Sequence, residues 1–262
     1  MSEDVLKFAA VGDVTAFHKE PESGYELIGS VLADMDVVVG SNERHYSNRT
    51  DIFPIGGFTE LTRPEHAKAL KLGNYDVLTF SSNHLMDLGP DVMAESIEVL
   101  RDLDIQVIGA GANIVEARRP AFVEKKGVKI GFLSYCSVLR ENYQASETTP
   151  GAAPLRVYTH YQQRDYQPGT SPTILTFPYP EDLEAMLDDI RAAKEQCDIL
   201  SLSLHWGLHG VTGALAGYQP EALKAGDPRF DDVLGYVRDV TASQGIDTTF
   251  RVDGDEVVVE LG

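Results

Sequence analysis

Asp76-Val77-Leu78-Thr79-Phe80-Ser81-Ser82-Asn83-His84-Leu85-Met86-Asp87-Leu88-Gly89-Pro90 decides the fold. Residues 76–80 form a short apolar run rich in β-formers, so they read as a buried strand. Four small or polar residues, Ser81 to His84, follow at once. Pro90 then sits where a proline favours the first turn of a helix, which is expected over 90–103. A buried strand, a polar loop and a helix in that order form one unit of a layered α/β sheet.

The same rhythm extends in both directions. Val5 to Val11 predicts a strand ending in Gly12-Asp13, and residues 25–34 predict a helix. Residues 36–40 predict a second strand ending in Ser41-Asn42-Glu43, and residues 63–72 another helix. After the 76–80 strand and its helix, residues 105–109 predict a strand. Residues 121–124 and 128–135 predict a hairpin around Lys125-Lys126-Gly127. Residues 180–196 read as a helix and 198–204 as a buried strand ending in His205-Trp206-Gly207. A helix over 228–243 and a hairpin of 248–252 with 256–260 close the chain. Residues 136–179 break the rhythm. Rich in Pro, Gly, Thr, Gln and Tyr, they read as a long ordered insertion within a single domain spanning 1–262.

Composition narrows the function classes. The chain has 262 residues, 41 acidic against 22 basic, and a formal net charge of −19. Such a surface repels phosphate backbones and anionic headgroups, so neither nucleic acid nor membrane is an expected partner. No run of about 18 apolar residues and no basic leader with an apolar core is visible, so the expected location is the cytoplasm. Cys136 and Cys197 are too few for a disulfide framework and read as buried thiols.

Four predicted strands end in polar residues of one chemical type: Asp13, Glu43, the Asn83-His84 pair and His205. Ligands of open α/β sheets gather beyond the carboxyl ends of the strands. Two carboxylates, an amide oxygen and imidazoles are donors for a divalent transition metal, Mn²⁺, Fe or Zn²⁺, singly or as a dinuclear pair. Such a site binds a phosphate ester and activates water, and a neighbouring histidine protonates the leaving oxygen. Each residue also has a plainer reading: Gly-Asp as a turn, Asn-Glu as a cap, His205 as a packed core histidine. Asp87 either orients His84 or caps the helix before Pro90. Arg44 and Arg140 are anion-binding candidates or ordinary salt-bridge partners. Tyr143, Tyr158, Tyr161 and Tyr166 either line a pocket or pack the insertion.

Several runs carry a family resemblance. They are Ala10-Val11-Gly12-Asp13, Ser41-Asn42-Glu43-Arg44, the Ser82 to Gly89 run, Val107-Ile108-Gly109-Ala110-Gly111, Ala117-Arg118-Arg119-Pro120 and Ser203-Leu204-His205-Trp206-Gly207. Over about residues 5–223 the chain resembles the CapA family, named for poly-γ-glutamate capsule synthesis, a branch of the calcineurin-like metallophosphoesterases. The resemblance implies an α/β sandwich of two β-sheets flanked by helices, a phosphoester hydrolase acting on a small-molecule or polymer substrate, and Asp13, Glu43, Asn83 and His205 as metal ligands. It further implies His84 as the acid or phosphate-contacting group, with Asp87 behind it. A non-catalytic accessory role in polymer synthesis is the rival expectation. Two departures bear on the site. Thr15 stands where the superfamily has a histidine two residues after the first aspartate. The family's Gly-His-His-x-His segment is lacking, for no histidine follows His209. The chain reads as though an internal segment with its strands were absent, leaving a sheet edge open to homodimer formation. His209, four residues after His205, is a candidate substitute ligand.

Overall fold

The structure is a computed structural model that describes residues 5–52, 54–57, 60–208, 216–219, 222, 248–253 and 256–261. Four strands, β1 (Phe8–Val14), β2 (Val37–Asn42), β3 (Val77–Thr79) and β4 (Gln106–Ile108), form a wholly parallel sheet in that order. The chain then makes the two-residue strand β5 (Ala110–Gly111) and the antiparallel hairpin of β6 (Ala121–Lys125) and β7 (Val128–Cys136). A second two-residue strand, β8 (Gly151–Ala152), pairs back onto β5. The hairpin of β9 (Val157–Gln162) and β10 (Thr173–Pro178) follows, and β11 (Ile199–His205) then lies parallel to β7. Thus β11, β7 and β6 make a second, mixed sheet. The last described strands, β12 (Thr248–Asp253) and β13 (Glu256–Leu261), pair as the expected hairpin.

The two main sheets pack face to face. Strand side chains alternate between faces, so one strand can serve two cores. On β7, Ile130 and Phe132 point into the seam and meet Val37, Val39, Val77 and Ile108 of the first sheet. Phe132 also stacks on Phe8 at 6.2 Å between ring centroids. The alternate residues Leu133 and Tyr135 face the other way, onto Met186, Ile190 and Ala193. Those three lie on one stripe of the long helix Pro180–Lys194. The outer face of the first sheet is covered by Tyr25, Tyr46, Leu70 and Leu100, packed with Leu78 of β3. The expected arrangement, two β-sheets flanked by helices, is therefore what the chain adopts. Each fully buried aliphatic or aromatic side chain in these layers contributes roughly 1.5–3 kcal/mol.

The helices on the first sheet are shorter than the sequence predicts. Residues 25–34 give a 3₁₀ turn, Pro21–Tyr25, and a short helix α1, Gly29–Ala33. Residues 63–72 give one turn of α2, Pro64–Ala67, running into a 3₁₀ segment that a left-handed Asn74 ends at φ 52°. The helix after β3, α3 (Pro90–Arg101), matches expectation and buries Val92, Met93, Ser96, Ile97 and Leu100. Residues 136–179 are not uniform. Tyr143, Ala145, Ala152, Ala153 and Leu155 return to the core, whereas β9 and β10 form a hairpin whose side chains are largely exposed. Two further helices complete the described elements, α4 (Ile114–Ala117) and α5, the long helix already noted. Among the described residues, β11 has a paired strand on one side only. The predicted helix over 228–243 and His209 lie outside the described residues.

Candidate functional site

The C-terminal ends of β1, β2, β3 and β11 converge at one edge of the seam, so both sheets supply the site. A one-residue slip in the β1–β2 ladder aims Asp13: Ala10 pairs with Val39 but Asp13 pairs with Ser41, leaving an extra residue on β1. Such a bulge turns the strand locally and redirects the next side chain. Gly40 on the facing strand has no room for more, since a Cβ there would lie 2.8 Å from Val14 and 3.0 Å from Val11. The bend after β2 is shaped by Asn42, whose buried amide donates to the Arg44 carbonyl at 2.8 Å. This places Glu43 beside Asp13.

One ligand atom each from Asp13, Glu43 and His205 lie within 4.8 Å of one another, a spacing that suits a single cation. His205 Nε2 also lies 2.8 Å from Asn83 Oδ1 and 3.4 Å from Glu43 Oε1. His205 therefore faces the acidic cluster, whereas its neighbour Trp206 packs into the core edge-on to Tyr218. The four residues expected as ligands are thus brought together. Thr15 adds no imidazole.

The electrostatics of the cluster call for a cation. Glu43 is 13% exposed at its side chain, and its Oε1 is buried without a hydrogen-bond partner. Burial, then the adjacent Asp13 carboxylate, pushes the Glu43 carboxyl up to about 7 against the opposing hydrogen bond from Ser82. Burial also raises Asp13, opposed by the Ser41 hydroxyl and by His84. Asp13 itself is exposed at the rim and Glu43 is largely buried; carboxylates side by side resist ionising together unless a positive charge joins them. The donor set and the orphaned oxygen fit a divalent transition metal. Asp13, Glu43 and His205 would hold it, with Asn83 Oδ1 within reach of the same imidazole.

Beside this cluster stands a His–carboxylate pair. His84 Nδ1 and Asp87 Oδ2 are 2.6 Å apart. Asp87 is fully buried, and its other oxygen accepts from the Tyr143 hydroxyl at 2.8 Å. An ionised carboxylate only accepts, so Nδ1 carries the proton and the ring's tautomer is fixed. The Asp87 carbonyl accepts from the backbone N–H groups of Ile55 and Gly56 at 2.8 and 3.1 Å. Gly56 lies so close to Asp87 and to the Tyr143 hydroxyl that any side chain there would collide with both. Of the two readings of Asp87, the structure thus has it holding His84. Gly89, with φ 94°, occupies the cap position of α3.

Gly56 carries no signal in the sequence, Ser82 stands out there only within the run that carries the resemblance, and Tyr143 only as a pocket or packing candidate. Their contacts with the site span long stretches of chain, and no local pattern marks them. The two arginine candidates separate. Arg44 is buried, bonded to Thr62 at 2.8 Å and Glu60 at 3.2 Å, and stacked under Phe17, so it serves the packing. Arg140 lies at the site, with Nε 3.8 Å from Asp87. Tyr158 stacks on Tyr179, while Tyr161 and Tyr166 are exposed on the hairpin.

The model of the family described as "Bacterial capsule synthesis protein PGA_cap" matches residues 4–225. The chain belongs to this family. Its relatives include the PGA biosynthesis protein CapA of Bacillus subtilis, 24% identical over 216 residues that cover 79% of this chain and 50% of the relative. A Mycobacterium tuberculosis protein named as a polyglutamine synthesis accessory protein is 26% identical over 177 residues, covering 66% of this chain and 42% of its own. The chain thus spans about half the length of the curated relatives it matches. A solved structure of a Staphylococcus aureus protein, provisionally assigned as a 5'-nucleotidase and bound to alpha-ketoglutarate, aligns with a TM-score of 0.44 and 12% identity. That alignment covers 98% of this chain and 53% of that one. Among the described residues, no helix is long and apolar enough to cross a membrane.

Proposed function

We propose that this member of the capsule-synthesis family is a metal-dependent hydrolase of phosphoester type. The observation that carries the reading is the buried Oε1 of Glu43, which accepts no hydrogen bond and faces His205 Nε2 at 3.4 Å, within a cluster whose ligand atoms lie within 4.8 Å of one another. A protein does not gain stability by packing such an oxygen beside a second carboxylate. The arrangement makes sense as a cation seat. A divalent transition metal bound there supplies a Lewis acid and lowers the pKa of water. Asp13, Glu43 and His205 would hold it. Asp87 holds the His84 ring through Nδ1, leaving Nε2 as the nitrogen that exchanges a proton. When water attacks phosphorus and the ester P–O bond breaks, His84, carrying a proton on Nε2 as well as on Nδ1, gives the Nε2 proton to the departing oxygen, while the attacking water loses a proton to solvent. Tyr143 and the Ile55–Gly56 turn keep Asp87 desolvated and fixed.

A second reading, a non-catalytic accessory protein of poly-γ-glutamate or capsule polymer synthesis, is favoured by the names of the relatives and by the lacking histidine segment. One experiment separates the two. Elemental analysis of the purified protein after Mn²⁺ or Zn²⁺ loading should find about one metal per chain, lost in Asp13→Ala. Turnover of 4-nitrophenyl phosphate should depend on that metal and on His84. Metal at background level in the wild type removes the hydrolytic reading. Metal with no turnover of phosphoesters leaves a binding protein.

A further inference from the structure

We infer that the hairpin of β9 and β10 is a self-association surface: two copies of this chain pair their β9 strands antiparallel about a two-fold axis, joining two ribbons into one four-stranded sheet. Among the described residues, β9 and β10 pair only with each other, so each ribbon carries two edges of unpaired backbone groups. A two-stranded ribbon in water is marginally stable at best and gains from further strands or a covering layer. The base of this ribbon is fixed. The Tyr179 N–H donates to the Arg156 carbonyl at 2.8 Å, Tyr158 stacks on Tyr179 at 3.8 Å between ring centroids, and Thr176 Oγ1 accepts from the Tyr218 N–H at 3.1 Å. Beyond the base, apolar side chains stand in water. Tyr161 is 70% exposed, its cross-strand partner Ile174 61% and Tyr166 97%, with Tyr158, Leu175 and Phe177 exposed beside them. A whole aromatic side chain measures about 150–250 Å², so these six present on the order of 600–700 Å² to solvent. Each partner in a stable interface brings roughly 800 Å².

Charge and edge chemistry point to a second copy as the occupant. At net charge −19, two copies repel wherever their carboxylates face each other. Residues 157–178 hold one arginine, Arg164, and one aspartate, Asp165, so the hairpin is a neutral island on which like copies can meet. The same neutrality offers little to a basic peptide or a polyanion. Pro172 precedes β10 and Pro178 ends it, and a proline has no N–H to give to a ladder. β9 reads Val-Tyr-Thr-His-Tyr-Gln, with none of the prolines, lysines or carboxylates that ordinarily blunt an edge. An edge strand is complementary to its own copy when a two-fold axis reverses it, so one surface closes the dimer. Pairing then sets the exposed rows of the two ribbons side by side, Tyr158 and His160 on one face, Thr159 and Tyr161 on the other.

Sedimentation velocity of the full chain, at concentrations up to on the order of 0.1 mM, tests the surface. The wild type should pass from monomer to dimer within that range. The double substitution Tyr161→Ser with Ile174→Ser should weaken the dimer tenfold or more. Leu27→Ser removes a side chain 93% exposed elsewhere on the fold and should leave the dimer unchanged. Circular dichroism verifies the fold of each variant. Raising NaCl from about 0.05 to about 0.5 M should tighten the dimer severalfold, because salt screens the repulsion between like copies and leaves a neutral contact intact. Amide exchange reads the wild type without any substitution: β9 amides not bonded to β10 should exchange more slowly as concentration rises. Four results each overturn the inference. They are a chain that stays monomeric throughout, a dimer that survives the double substitution and so uses another surface such as the β11 edge, a dimer that fails to tighten with salt, and β9 exchange independent of concentration. None of these measurements involves the metal cluster, so the hydrolytic reading stands or falls separately.

Discussion

Replacing Glu43 by glutamine should make the metal-free protein more stable, and the pH dependence of the gain is fixed by the structure. Burial and the Asp13 carboxylate push the Glu43 carboxyl from 4.5 up to about 7 in the folded state. Between those two values the folded chain holds a proton that the unfolded chain has released. Wild-type stability therefore falls as pH rises through this window, opposite to the usual behaviour of a carboxylate. Above pH 7 the accumulated cost is about 3 kcal/mol, at about 1.4 kcal/mol for each pKa unit. Glutamine has nearly the same shape and no charge, so it escapes the cost. In chelator at pH 8, Glu43→Gln should melt higher than wild type by on the order of 6–12 °C. The difference should vanish towards pH 4.5. Because the Asp13 charge acts on Glu43, the slope belongs to the pair and is read as one transition. Saturating Mn²⁺ should reverse the order, since the wild type gains a bound cation and the variant loses a ligand. Scanning calorimetry at pH 5, 6.5 and 8, with and without Mn²⁺, makes the comparison. A variant no more stable than wild type in chelator at pH 8, or a gain that does not change between pH 5 and 8, would refute the account of the cluster.

Two further substitutions probe the supports of the site. Tyr143→Phe removes the hydroxyl that donates to the buried Asp87. It should cost about 1–3 kcal/mol in urea unfolding at pH 7 and lower kcat more than it raises KM, because His84 loses its fixed partner. Gly40→Ala inserts a methyl 2.8 Å from Val14 and 3.2 Å from Tyr75, against the bulge that aims Asp13. It should destabilise by about 1–3 kcal/mol and weaken metal retention on dialysis, whereas an unchanged melting temperature would mean that β1 and β2 yield more easily than their packing implies.

Much of the frame is legible in the sequence because buried strands of parallel sheets are short apolar runs whose polar ends announce themselves. Gly12-Asp13, Asn42-Glu43, Asn83-His84 and Leu204-His205 each follow such a run, and the structure gathers all four. The bulge that turns Asp13 is not legible, for an extra residue in a ladder exists only relative to the partner strand. Nor is the role of Tyr143, a pocket or packing candidate in the sequence whose bond to Asp87 crosses 56 residues. The hairpin of β9 and β10 stayed hidden for another reason. A strand buried on one face shows an apolar–polar alternation, but β9 is exposed along nearly its whole length and carries no such signal. The helices over 25–34 and 63–72 were overestimated because apolar periodicity marks which residues face a sheet and does not report how many turns connect them.

The donors Asp13, Glu43 and Asn83 come from the parallel sheet, and His205 comes from the mixed one. Any ligand that touches Asp13 and His205 together is a rivet across the seam of the sandwich. Occupancy and closure of the two halves then draw on one free energy. Stripping the ligand loosens the joint between the sheets before it loosens either sheet, so amide exchange should quicken first at the meeting of β1 and β11.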